Sequence, residues 1–216
     1  MQAAHYQYPL DLRFRLIALA PRIIVTDSSG QEVAFVHQNL WKLKEDVRIY
    51  TDQSKAREIF RIKADRILDI RTKYYFTQSD TERPLGYVQP RALRSIWRAN
   101  YQVFDTSGAV THFVREDNPW IKVGDALFSE LPVVGIFSGM LLHPSYTIYR
   151  GSDTNDLSQP LMRLTKTAGF FEGKFVLDRL GSGDALAPKI KILDTEEEAR
   201  LLLAMLLMIQ FMRRRG

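Results

Sequence analysis

The stretch from Asp194 to Arg215, DTEEEARLLLAMLLMIQFMRRR, decides the fold. Its start carries a helix N-terminus signal, with Asp194 or Thr195 as N-cap and Glu198 in capping-box position after Thr195. Glu196 and Glu197 lie near the positive end of the helix dipole, and Arg213, Arg214 and Arg215 lie near its negative end. From Leu201 to Met212 only Gln210 is polar. A surface helix shows one apolar stripe, whereas this one is apolar all round and must be enclosed. A bilayer could enclose it, but a span needs roughly 20 apolar residues and this run is shorter. The other enclosure is the rest of the chain.

From Tyr8 to about Leu180 the pattern is β. Residues 8–17, YPLDLRFRLI, alternate as a first strand. A unit of strand, polar turn and returning strand then recurs five times, with turns predicted at Asp27–Gly30, Asp52–Ala56, Ser79–Pro84, Asp105–Gly108 and Gly151–Pro160. Thr26, Thr51, Thr77, Asp105 and Arg150 fall at matching places, spaced by 25, 26, 28 and 45. A last strand covers Lys174 to Leu180. Leu68, Ile70, Thr72, Tyr74 and Phe76 line one face of a strand, and Asp69, Arg71, Lys73 and Tyr75 line the other.

One early strand, five hairpins and one late strand make twelve strands. Closing such a sheet removes its edges. Twelve strands about 4.8 Å apart and tilted about 40° give a diameter of roughly 24 Å. A helix with its side chains, about 10–12 Å across, fills what the inward side chains leave. A two-sheet sandwich with a flanking helix would use the same elements. The fold expected is mainly β (α+β): one domain over residues 1–216, a closed antiparallel barrel around a central helix at about 195–213.

The remaining stretch, Asn118 to His143, is read as a helix-and-loop insert. It would plug one barrel mouth or present an apolar loop to a membrane; Trp120, Ile136 and Phe137 are its candidate interaction residues.

Bulk composition narrows function only slightly. Thirty basic against 25 acidic residues give a net charge of +5, a mild lean toward anionic partners. The absence of cysteine excludes disulfides, thiolate metal sites, cysteine catalysis and palmitoylation. The N-terminal stretch shows no signal-peptide pattern, so a cytoplasmic location is expected, with peripheral attachment to a membrane as its variant.

Chemistry is sparse. His5, His37, His112 and His143 have no metal-ligand spacing, and His112, within a strand, is read as structural or surface. There is no P-loop or nucleophile elbow. No acid–base pair, metal or cofactor is called for. Asp153-Thr154-Asn155-Asp156 is read as a turn. The best signal is Arg91-Ala92-Leu93-Arg94-Ser95-Ile96-Trp97-Arg98. Arg91, Arg94 and Arg98 can grip phosphate oxygens, and Trp97 suits a membrane interface. Arg61, Lys63, Arg66, Arg71 and Lys73, on outward strand positions, would extend that patch or merely solubilise the wall.

The stretches VRIYTDQSKAREIFRIKADRILDIRTKYYFT and PLGYVQPRALRSIWRANYQVFD and the closing apolar helix resemble the LURP-one-related proteins, within the wider group of tubby C-terminal domains and phospholipid scramblases. The resemblance covers residues 8–215. It implies a twelve-stranded barrel around a central helix, and a phosphate-binding role carried onto Arg91, Arg94 and Arg98. Lipid translocation is not implied, because the palmitoylation segment, calcium-loop-like segment and extra C-terminal span of scramblases are missing. The expectation is a non-enzymatic soluble barrel that binds an anionic ligand or membrane surface, phospholipid or phosphoinositide headgroups above all. No nucleic acid partner and no transmembrane span are expected. The alternatives are a protein-interaction or regulatory module docking through residues 118–143, and an enzyme of unidentified chemistry.

Overall fold

The structure is a computed structural model that describes residues 6–15, 22–38, 46–66, 72–91, 100–117, 145–167, 172–180 and 194–214. The first half of the wall is β1 (Leu10–Arg15), β2 (Arg22–Thr26), β3 (Glu32–Gln38), β4 (Asp46–Tyr50), β5 (Glu58–Ala64) and β6 (Tyr74–Gln78). The second is β7 (Arg83–Pro90), β8 (Asn100–Phe104), β9 (Val110–Glu116), β10 (Ser145–Arg150), β11 (Pro160–Thr167) and β12 (Glu172–Arg179). The helix α1 (Thr195–Arg214) follows.

Each strand pairs antiparallel with its sequence neighbours, and β1 pairs with β12 from Leu10↔Leu177 to Arg15↔Glu172. The sheet is therefore a closed up-and-down barrel without an edge strand. Alternation sets the inside. Val47 and Ile49 on β4 are buried while Arg48 between them is exposed, and Tyr74 and Phe76 flank an outward Tyr75 on β6. The inward residues of all twelve strands form one core with α1.

Leu201 through Ile209 are each at most 2% exposed. Those nine residues make about 2.5 turns, so every face of the helix is covered. This is the enclosure that an all-round apolar helix requires, and the barrel supplies it. Asp194 is the N-cap: its Oδ1 accepts the Glu197 amide at 2.8 Å, and its carbonyl accepts the Glu198 amide at 2.9 Å. The Thr195–Glu198 capping box gives way to this arrangement, because Glu198 is buried at 1% exposure and turned toward the wall.

The hairpin repeat is real at the level of backbone geometry. All five hairpins shift register within two pairs of the turn: Val25/Thr26, Ile49/Tyr50, Phe76/Thr77, Val103/Phe104 and Ile148/Tyr149. The positions matched in the sequence fall on these shifts or one residue beyond. Two turns are near copies. Asp27 Oδ1 accepts the Ser29 amide at 2.9 Å, the Ser29 hydroxyl at 2.6 Å and the Gln31 amide at 3.0 Å. Asp105 Oδ1 accepts from Ser107 and Ala109 at the same three distances. The glycine that closes each turn has a positive φ, 83° at Gly30 and 84° at Gly108, which an L side chain resists. Chain direction alternates along the barrel, so all five of these turns lie at one end.

Candidate functional site

At that same end, α1 enters the barrel and its three consecutive glutamates fan out. Successive helical residues are rotated by about 100°, so Glu196, Glu197 and Glu198 point at three sectors of the wall. Glu196 pairs with Arg83 at the start of β7 and, through Oε1 at 3.1 Å, with Arg200 on its own helix. Glu197 Oε1 lies 2.9 Å from His112 Nε2 on β9 and 3.0 Å from Arg150 Nη1 on β10. Glu198 faces the Tyr8 hydroxyl ahead of β1.

Charges are strong here because solvent is excluded. Burial alone would raise the Glu197 carboxyl, but His112 and Arg150 hold it below the ordinary glutamate range. Burial, reinforced by the charge of Glu198, pushes the Tyr6 phenol up to about 12. Tyr8 is raised further, by burial first and then by the charge and hydrogen bond of Glu198. The imidazole of His112 is 1% exposed, and its Nδ1 lies 2.9 Å from Thr111 Oγ1. His112 therefore faces the lumen and the helix; it is a structural residue, not a surface one.

Arg200 completes a collar of polar side chains, with Glu196, Glu197 and Glu198, where the helix enters the barrel. Its Nε donates to the carbonyl of Leu85, across the barrel interior. The approach is possible because residue 86 is glycine. A Cβ there would stand 2.1 Å from the Phe104 carbonyl oxygen and 3.2 Å from Arg200 Nε, and φ is already +119°. The collar thus locks helix to wall.

A second polar cluster pins β9 to β10. Asp117 accepts the Ser145 hydroxyl at 2.7 Å and the Thr147 hydroxyl at 2.9 Å, and Arg163 Nε lies 3.4 Å from the Asp117 carboxylate.

The outer wall is different. Register places Lys63, Tyr75, Tyr87 and Phe104 side by side across β5, β6, β7 and β8. Tyr87 and Phe104 stack at 4.4 Å with their planes 7° apart, and Tyr75 leans on Tyr87 at 5.4 Å. Lys73 Nζ sits 4.9 Å from the Tyr87 ring centroid, a cation–π arrangement. Cross-strand aromatic pairs of this kind stiffen a sheet by roughly 0.2–1 kcal/mol each. They do not require exposure, as Phe35 and Phe113 show: both point outward from their strands and are 2% and 0% exposed. Tyr75 is 42% exposed. Among the described residues, it and Leu157 are the exposed large hydrophobic side chains.

Of the arginine segment, Arg91 lies within the described residues; Arg94, Trp97 and Arg98 lie outside them. Trp120, Ile136 and Phe137 of the expected insert also lie outside them. Arg91 is exposed and continues the line of Tyr87 and Gln89 along β7, roughly 13 Å beyond Tyr87 at the usual strand rise. Its guanidinium donates to Thr154 Oγ1, in the same turn that carries Leu157. The other basic residues divide. Arg61 grips Asp46 with Nε at 2.7 Å and Nη2 at 2.6 Å, and Arg48 pairs with Glu58 at 3.4 Å. Lys63 and Lys73 have no carboxylate within ion-pair distance among the described residues.

The aromatic ladder was missed in the sequence because it is assembled from three strands. The signal is half visible in the sequence: alternation puts Lys73 and Tyr75 on one face, but Tyr87 and Phe104 are brought to them by register alone.

No protein-family model matches this chain, and neither does any curated protein or solved structure. No helix among the described residues is long and apolar enough to cross a membrane.

Proposed function

We propose that this protein is a non-enzymatic barrel that binds an anionic ligand or surface, phospholipid headgroups above all, through the outer wall of β5 to β8. The observation that carries this reading is the exposed Tyr75 beside Tyr87, with Lys63 and Lys73 on either side. A tyrosine ring with a polar tip, flanked by two lysines, suits a boundary that is apolar on one side and anionic on the other. The net charge of +5 favours the same partner. The LURP-one-related resemblance, with Arg91 as the described member of its basic segment, points the same way. A peripheral place at a membrane follows from this reading.

Vesicle sedimentation tests it. The protein should sediment with vesicles of phosphatidylcholine plus phosphatidylserine and remain in the supernatant with phosphatidylcholine alone. Equal partitioning onto both would contradict the proposal.

A further inference from the structure

We infer that this wall reads the charge of a lipid bilayer rather than the shape of one headgroup. The inference rests on the anionic-surface reading and makes it narrower. Selective capture of a phosphorylated headgroup needs a concave site and guanidinium forks aimed into it. Among its described residues the wall offers neither. It is the outside of a closed barrel, and so convex. Its described arginines have partners: Arg61 holds both oxygens of Asp46, Arg83 pairs with Glu196, and Arg91 donates to Thr154. Among the described residues this leaves Lys63 and Lys73, point charges on flexible stems that follow an anion without fixing its orientation.

The aromatic residues support the same conclusion. One face of the Tyr87 ring is taken by Phe104 at 4.4 Å, and Lys73 Nζ lies 4.9 Å from its centroid. A nucleobase or other flat ligand cannot sandwich onto that ring as it would on a single-strand-binding platform. What protrudes is the exposed part of Tyr75, beside lysines whose charge complements an acidic leaflet. A ridge of this shape fits a broad anionic plane.

The test compares vesicles containing phosphatidylserine with vesicles containing a phosphoinositide, matched in surface potential. Partition coefficients should agree within about twofold if charge alone is read. Lys63→Ala and Lys73→Ala should each lower the coefficient by about fivefold, and the double variant by roughly 25-fold. Binding should collapse as salt shortens the screening length from about 10 Å at 0.1 M to about 3 Å at 1 M. Soluble glycerophosphoserine in excess should not displace the protein. Strong preference for one headgroup at matched potential, or displacement by the soluble headgroup, would overturn this inference and leave anionic-lipid binding standing. Retention of full binding by the folded double variant would overturn the assignment to this wall. Absence of binding to every acidic vesicle, with or without oligonucleotide binding in its place, would overturn the functional reading itself.

Discussion

Glu197 on the first turn of α1 and His112 on β9 are 85 positions apart in the chain and 2.9 Å apart in the fold. Arg150 reaches the same carboxylate oxygen at 3.0 Å. The run of three glutamates, which alone suggests only a favourable helix dipole, is thereby a set of three anchors. Each ties the central helix to a different part of the barrel.

This pairing makes stability depend on pH in a definite direction. The folded Glu197 carboxyl titrates below its ordinary value of 4.5. A group with a depressed folded pKa stabilises the native state fully above its unfolded pKa, and loses that contribution as pH falls through the folded one. The wild type should therefore weaken more steeply below about pH 4.5 than Glu197→Gln, in which this titration is absent. Near neutral pH Glu197→Gln should cost about 2–3 kcal/mol, somewhat less than a fully buried pair because Arg150 is partly exposed. Urea denaturation across the acid range measures both effects. Parallel pH profiles for the two proteins would contradict the role given to Glu197.

Gly86 and Gly30 separate crowding from backbone strain. Both have positive φ, +119° and +83°, but a Cβ at Gly30 meets nothing within 4 Å. Gly30→Ala should cost about 1–2 kcal/mol from conformation alone. Gly86→Ala must also displace the Phe104 carbonyl and disturb the Arg200–Leu85 hydrogen bond, and should cost about 3 kcal/mol or more. Equal losses in equilibrium denaturation would show that the collar does not depend on the close approach at residue 86.

The core helix tolerates truncation better than charge. Leu206 is 1% exposed and is ringed by barrel wall. Leu206→Ala should fold with a loss of about 2–5 kcal/mol. Leu206→Asp or Leu207→Asp should yield no folded protein, since a carboxylate there has no partner and no water. Circular dichroism and recovery of monodisperse protein distinguish these outcomes. A folded Leu206→Asp variant of unchanged thermal stability would mean that the helix is not the core.

The barrel was legible in the sequence because its signals are local. Period-two alternation, the Asp-x-Ser turns and the apolar helix each lie within a few residues, and the five bulges sit where the repeat was aligned. The collar was not legible, because Glu196 to Glu198 find Arg83, His112, Arg150 and Tyr8 only after the barrel closes. Arg61 shows the same limit in reverse. It stands outward as expected, yet Asp46, directly before the partner strand's core residues, neutralises it. Tyr75 was placed on the correct face; its aromatic neighbours depend on pairing across three strands.

The central claim is that the β5–β8 wall faces an anionic bilayer. The chain has no cysteine, so a single introduced one can carry a spin label. Position 75 on β6 and position 174 on β12 are both outward and exposed, on strands half a barrel apart. Tyr75→Cys and Lys174→Cys, each labelled and mixed with phosphatidylserine-containing vesicles, should differ in accessibility to a water-soluble relaxation agent. The account predicts protection at position 75 and continued exposure at position 174. Protection at 174 with 75 still exposed, or no change at either site while the protein is vesicle-bound, would contradict it.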